Sequence, residues 1–173
     1  EGLATGQLEL APEPIHALID RLWPGMGYDV PWESRAEQTA AHEAADRLLA
    51  WLLSRSVATS IVEASLECAM TVPRADGAGD IAVEVVGRAD RIEIRADGAV
   101  VLDYKTGRAV ATNLELARNL QLALYQLMLQ TGTYGHDDQT ARLDVPVVGA
   151  ALVHLRASDP DQPELPVVQQ AGP

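Results

Sequence analysis

Residues 87–107 read Gly-Arg-Ala-Asp-Arg-Ile-Glu-Ile-Arg-Ala-Asp-Gly-Ala-Val-Val-Leu-Asp-Tyr-Lys-Thr-Gly, and this stretch constrains the fold more than any other. An Asp-Gly pair between β-patterned runs signals a tight hairpin, because both residues accept the backbone angles that such a turn needs. The turn at Asp97-Gly98 predicts two strands, about Ile81–Arg95 and Ala99–Lys105. Side chains alternate along a strand, so Asp103 and Lys105 project from one face. Folding at the turn brings Asp90 opposite or diagonal to Asp103, depending on register. Two carboxylates that close repel each other unless a cation sits between them, and a divalent ion is the usual answer. The patch therefore reads as a metal site. A surface salt bridge between Asp103 and Lys105 is the simpler account. It leaves unexplained why the buried-looking run Val100-Val101-Leu102 ends in polar side chains.

At 173 residues, 47% of them hydrophobic, the chain suits one domain with a sizeable core and excludes general disorder. It contains no apolar run of membrane-spanning length and no basic-then-apolar leader. These features, with Cys68 as the single cysteine, point to a reducing cytoplasm. One cysteine also excludes a Cys-rich zinc site or an iron–sulfur cluster built by this chain alone. A net charge of −12 argues against a protein that coats nucleic acid nonspecifically. It does not argue against an enzyme acting on nucleic acid, because a bound metal and local Arg or Lys offset the field near a phosphate. The chain opens on Glu rather than Met, which points to a fragment of a longer polypeptide.

Residues 1–33 are broken by Pro12, Pro14, Pro24 and Pro31, leaving one short helix near His16–Leu22. Trp23 and Trp32 are expected to anchor this segment on the core. His16 is its one chemically capable residue, with an ordinary half-exposed helix histidine as the simpler account. A helix follows over about Ala36–Ser54, with Ser34 and Glu37 at capping-box spacing and Ala41, Ala44, Ala45, Leu48, Leu49 and Leu52 on one apolar face. His42 and Glu43 fall off that face and are expected in solvent. Ile61–Val72 reads as a strand with Glu63, Ser65 and Glu67 on one side and Val62, Ala64, Leu66 and Cys68 on the other. Its acidic face is either a third source of metal ligands or a solvated stripe. Residues 74–80 form a loop, and Gly87 marks a bulge or a close backbone approach.

A second helix is expected over about Asn113–Gln130, with Thr112 and Glu115 at capping-box spacing. Leu116, Leu120, Ala123, Leu124 and Leu127 would form its buried face, with Arg118, Gln121 and Tyr125 opposite. That second set either offers polar groups to a ligand near the hairpin or is merely solvated. Residues 131–141 read as a loop, Val147–Leu155 as a last strand with a structural His154, and residues 157–173 as a loose tail. The order helix, three strands, helix, strand demands a crossover, hence an α/β fold with a mixed central sheet flanked by helices. Residues 34–156 would form the core, with 1–33 packing on it as an irregular N-terminal segment.

Gly87-Arg-Ala-Asp90-Arg-Ile92, then Leu102-Asp-Tyr-Lys-Thr-Gly107, then Gln121-Leu-Ala-Leu-Tyr125, together resemble the PD-(D/E)XK nuclease superfamily, whose restriction-endonuclease-like core has this same αβββαβ order. Within it the likeness is to the RecB-type nuclease domains of the bacterial helicase–nucleases RecBCD, AddAB and AdnAB. The segment from Leu22-Trp23-Pro24 to Pro31-Trp32 resembles the actinobacterial AdnAB type, and the likeness covers roughly residues 20–156.

The resemblance implies that Asp90 and Asp103, with the backbone carbonyl of Tyr104, hold Mg²⁺ or Mn²⁺. Lys105 would polarise the attacking water, and Glu63, or Glu67 second, would supply the acid from the preceding strand. Gln121 and Tyr125, with Arg118 nearby, would orient the site or the DNA backbone. The family's catalytic histidine lies in a Gly-x-x-x-His helix, a context His16 lacks, so the resemblance places that helix upstream of this chain. The isolated fragment would then be weak or inactive. The implied activity is hydrolysis of single-stranded DNA unwound by a fused or partner helicase, in double-strand break repair and recombination, in the cytoplasm at the nucleoid. The alternative is a noncatalytic DNA-channel or interaction module of the same kind of complex.

Overall fold

The computed structural model describes residues 11–55, 57, 59–136 and 139–172. Helix α1 (Pro12–Leu22) leads through a 3₁₀ turn (Trp23–Met26) into helix α2 (Pro31–Leu53). Strands β1 (Thr59–Pro73), β2 (Asp80–Arg95) and β3 (Gly98–Lys105) follow as a meander. Helices α3 (Asn113–Ala117) and α4 (Leu120–Thr131) come next, then a short hairpin β4 (Thr133–His136) and β5 (Gln139–Ala141), and strands β6 (Val147–Ser158) and β7 (Pro166–Ala171). The seven strands form one mixed sheet in the order β5-β4-β1-β2-β3-β6-β7. The α/β architecture read from the sequence is the one observed. No helix among the described residues is long and apolar enough to cross a membrane.

The chain divides into two compact units. The first comprises Glu1–Ser56, Tyr104–Thr112 and Leu152–Gln169, and the second Val57–Asp103, Asn113–Ala151 and Gln170–Pro173.

In the second unit the meander is antiparallel throughout, with Ile61 opposite Ile92 and Ile92 opposite Val101. Val100, Val101 and Leu102 are buried, as their β-branched and apolar run predicts. Ala64, Leu66 and Cys68 of β1 are also buried, while Glu63, Ser65 and Glu67 alternate outward. The turn glycine Gly98 has φ +140, and a Cβ there would run into the Pro146 carbonyl, which accepts a 2.8 Å hydrogen bond from Ala99 N. Gly87 introduces no bulge, since the ladder passes through it opposite Leu66. Tyr125 and Met128 of α4 lie next to it at ordinary contact distance, where a Cβ would also fit.

Three expectations fail here. The long helix over 113–130 is two helices, because the chain turns at Arg118–Asn119 and Asn119 caps α4 by accepting from Leu122 N at 3.0 Å. Restarting the helix resets its phase. Leu122, Met128 and Leu129 are buried, while Leu120, Leu124 and Leu127 are exposed. Residues 131–141 are not simply a loop, because β4 pairs with β1 from Ser65 to Glu67 and extends the sheet. The 157–173 segment is not loose throughout, because Val167 and Val168, overlooked among the Asp and Pro residues, sit in strand β7.

In the first unit, Pro31 occupies the first turn of α2, so the helix starts five residues before the expected Ala36. Ser34 is thus already helical and makes no capping box with Glu37. Its hydroxyl accepts from Trp23 Nε1 at 2.9 Å. Trp23 stacks on Tyr28, whereas Trp32 is 69% exposed and anchors nothing. α1 extends further than the predicted short helix and packs on α2. His42 is not simply solvated, because it is half-buried, stacked on His16 at 4.3 Å, with Nε2 2.9 Å from Asp20 Oδ1. Glu43 is exposed as expected and pairs with Arg47 one turn away.

Glu37 receives Arg156 at 2.6 Å and Arg108 at 2.7 Å, and the Arg156 bond foremost holds its carboxyl below the ordinary value of 4.5. A depressed carboxylate contributes stability above its ordinary pKa and loses it as pH falls through the folded value. Glu37→Gln should therefore unfold at lower urea concentration than wild type at pH 7. The gap should narrow as pH falls below about 4.5, read from urea midpoints at stepped pH.

Candidate functional site

The β2–β3 ladder ends at the pair Arg91–Leu102, and Asp90 and Asp103 are the next residues on the two strands. The β1–β2 ladder pairs Val62 with Arg91 and Ala64 with Ala89, and the residues between them are Glu63 and Asp90. Glu63, Asp90 and Asp103 thus stand in one row across three neighbouring strands. Asp103 is 4% exposed and Asp90 half-buried. Lys105, half-buried, ends β3 two residues beyond Asp103. Tyr104, between them, meets Trp51 edge-to-face at 6.5 Å.

Glu63 is unusual in that its φ is +51, alone among the described non-glycine residues, and its pair with Asp90 is the one step missing from an otherwise continuous ladder. A left-handed glutamate inside a strand is strained by about 1–3 kcal/mol, and such outliers concentrate at functional sites. Its carboxylate turns to Arg88, at 3.4 Å, an exposed contact that contributes little stability. Sequence reasoning passed over Arg88, although it lies two residues before Asp90.

Helix α4 supplies a directed chain of hydrogen bonds. Gln121 Nε2 donates to Asp103 Oδ1 at 2.8 Å and to Tyr125 Oη at 2.9 Å, and Tyr125 donates in turn to the Arg88 carbonyl at 2.8 Å. Gln121 and Tyr125, one turn apart, therefore both reach strands of the sheet, Gln121 while still exposed and Tyr125 half-buried. Arg118 does not join them, because it lies exposed in the turn before α4. Glu67 remains on the exposed side of β1, opposite Val86 and Thr133. His16 is engaged elsewhere, 2.8 Å from Asp46 within the α1–α2 pair. His154 is buried against Gln169 at 2.9 Å, a structural role as expected.

The donor chemistry fits a hard divalent cation. Two carboxylates in register, with the Tyr104 carbonyl next in the chain, suit Mg²⁺, which binds through one or two carboxylates and otherwise keeps water or substrate oxygens. Among the described residues no cluster of three or more His, Cys, Asp or Glu side chains is arranged to hold a metal, so Glu63 does not complete such a set with the two Asp.

This fold and arrangement belong to a known class. The chain belongs to the PD-(D/E)XK nuclease superfamily, whose family model matches residues 3–172. No curated protein matches it. Among solved structures it is similar to the crystal structure of SSO0001, with 18% identity and a TM-score of 0.36 over 65% of this chain and 41% of that one. The match therefore covers about two fifths of the length of that structure.

If the Tyr125 hydroxyl fastens α4 to β2, Tyr125→Phe should lower unfolding stability by about 0.5–1.5 kcal/mol. Its far-ultraviolet spectrum should stay unchanged, and urea denaturation measures the loss. An unchanged urea midpoint would mean that the bond contributes nothing.

Proposed function

We propose that this chain is a metal-dependent deoxyribonuclease domain of the RecB type, hydrolysing phosphodiester bonds of single-stranded DNA. The observation that supports it most is the buried Asp103, one residue past the last β2–β3 pair and held by Gln121 at 2.8 Å. A carboxylate kept almost out of water at the end of a fully apolar strand run is costly unless it serves a cation or a charged reaction.

In this reading Asp90, Asp103 and the Tyr104 carbonyl would hold Mg²⁺ or Mn²⁺. When bound, that ion supplies Lewis acidity toward the phosphate and a more acidic water. Lys105 orients the attacking water and stabilises the charge that develops on the phosphoryl oxygens. Gln121 fixes the Asp103 carboxylate, and Tyr125 fixes Gln121, so the ligand keeps one orientation through the reaction. Glu63 stands in the same row as the acid from the preceding strand, with Glu67 as the second candidate. Arg118, exposed ahead of α4, is available to the DNA backbone.

The motifs around Trp23–Trp32 and Gln121–Tyr125 support a finer assignment. The domain would act on strands delivered by an ATP-dependent helicase, fused or in a partner subunit of the AdnAB kind, in double-strand break repair and recombination. His16 is committed to Asp46 and is not assigned the role of the family's catalytic histidine.

With Mn²⁺, the wild-type chain should cut an end-labelled single-stranded DNA oligonucleotide, and Asp103→Asn and Lys105→Ala should each slow cleavage at least about a hundredfold. Calorimetric titration should show Mn²⁺ bound by wild type and not by the Asp90→Asn/Asp103→Asn double variant. Cleavage undiminished in Asp103→Asn would refute the ligand assignment. A folded wild type that binds no Mn²⁺ would favour the noncatalytic module.

A further inference from the structure

A cavity of about 490 Å³ opens in the first unit, a size typical of small-ligand sites, and the proposed hydrolytic chemistry makes no use of it. Its floor is the small-residue side of α2, where Ala41, Ala44 and Ala45 leave open space. Trp23 and Tyr28 supply an aromatic wall, their rings stacked 5.3 Å apart and 11° from parallel. The indole is held in place by the Trp23 Nε1 bond to Ser34, and Tyr28 is 40% exposed. A stiff aromatic surface that reaches solvent is suited to stacking on another flat ring.

Charge and chain position narrow the occupant. Arg156 and Glu37 line the cavity, and Arg108, 75% exposed, joins them, so two guanidiniums share one carboxylate and leave a positive excess. In a chain of net charge −12 that local excess stands out, and it favours an anionic partner. Thr106 also lines the cavity and follows Lys105 directly, so the rim begins one residue, about 3.8 Å of backbone, from the lysine assigned to the phosphate. An aromatic wall, an apolar floor and a spare cation together match how proteins take single-stranded nucleic acid, stacking a base and pairing its phosphate.

We propose that this cavity receives one unpaired base of the substrate strand next to the phosphate that Lys105 would contact, an inference that rests on the nuclease function proposed above. A duplex keeps its bases stacked inside, so such a subsite gives the domain its preference for single strands.

The test is fluorescence anisotropy without divalent metal, comparing labelled oligothymidylate with the same oligomer carrying internal abasic sites. Wild type should bind the thymidylate about tenfold more tightly, as expected for one stacked base. Tyr28→Ala and the cavity-filling Ala44→Leu should each abolish that preference and leave abasic binding unchanged, whereas Tyr28→Phe should keep it. Because a core variant can misfold, wild type carrying a 5-bromouracil oligomer is also photocrosslinked, and the label should map to the Trp23–Tyr28 peptide. Equal binding of both oligomers by a wild type that still cuts DNA, or crosslinks confined to other peptides, would overturn the subsite alone. A wild type that binds neither oligomer and cuts none with Mn²⁺ would overturn the nuclease reading and the subsite with it.

Discussion

Everything proposed for the site depends on the register of the β2–β3 hairpin. A strand has a side-chain period of two, so a slip of one residue would send Asp103 to the opposite face from Asp90. The turn prevents that slip. Gly98 takes a φ closed to other residues, with the Pro146 carbonyl packed where a side chain would begin, and Ala99 N bonds that same carbonyl at 2.8 Å. The connection to β6 thus clamps the far end of the hairpin. Apolar burial then does the rest, since shifting Val100, Val101 and Leu102 by one position would expose residues that are now buried.

The sequence disclosed the hairpin well because a turn dipeptide and an alternating pattern are local signals. Asp90, Asp103 and the strand limits could be read from adjacent residues alone. Helix α4 shows the opposite case. Its leucines suggested one buried face, but the break at Asn119 restarted the helix and carried Leu120, Leu124 and Leu127 outward. The cap was visible as an Asn, yet a capping role depends on whether the chain turns there, and no local pattern decides that. Gln121 and Tyr125 group on one face in the sequence, which leaves open whether that face meets the hairpin or solvent. Their partners, Asp103 and the Arg88 carbonyl, are distant in sequence and could enter only through the family resemblance. Strand β7 was missed because two adjacent valines are too short a signal without the neighbouring strand that pairs them.

Electrostatics explain how so acidic a chain is compatible with a polyanionic substrate. Some of its carboxylates are already paired with arginines. Glu93, fully buried, lies between Arg91 at 3.0 Å and Arg95 at 3.4 Å on its own strand, and Glu37 lies between Arg108 and Arg156. In each case one anion is matched by two cations, and the surplus charge is positive. The formal net charge therefore misstates the field that a phosphate would meet near these groups, because exposed acids far from them are screened within about 8–10 Å at physiological salt. The buried Glu93 pairing also has a structural side, since removing either arginine would take away one of the two cations that offset a buried carboxylate.

Glu63 is the place where fold and chemistry pull against each other. The ladder holds the same register on both sides of it, with Val62 opposite Arg91 and Ala64 opposite Ala89. No residue has been inserted, so the strain is not that of a bulge. The backbone must instead take a left-handed step within a fixed length, and it does so at the position beside Asp90. A conformation that costs about 1–3 kcal/mol persists only where the surrounding pairs over-determine it. Here the paired residues on either side do that, and the step releases one peptide from the ladder at the row of three carboxylates. An ordinary strand residue would keep that peptide paired, so the ladder is interrupted at Glu63 because of the backbone conformation there and not because of a change of register.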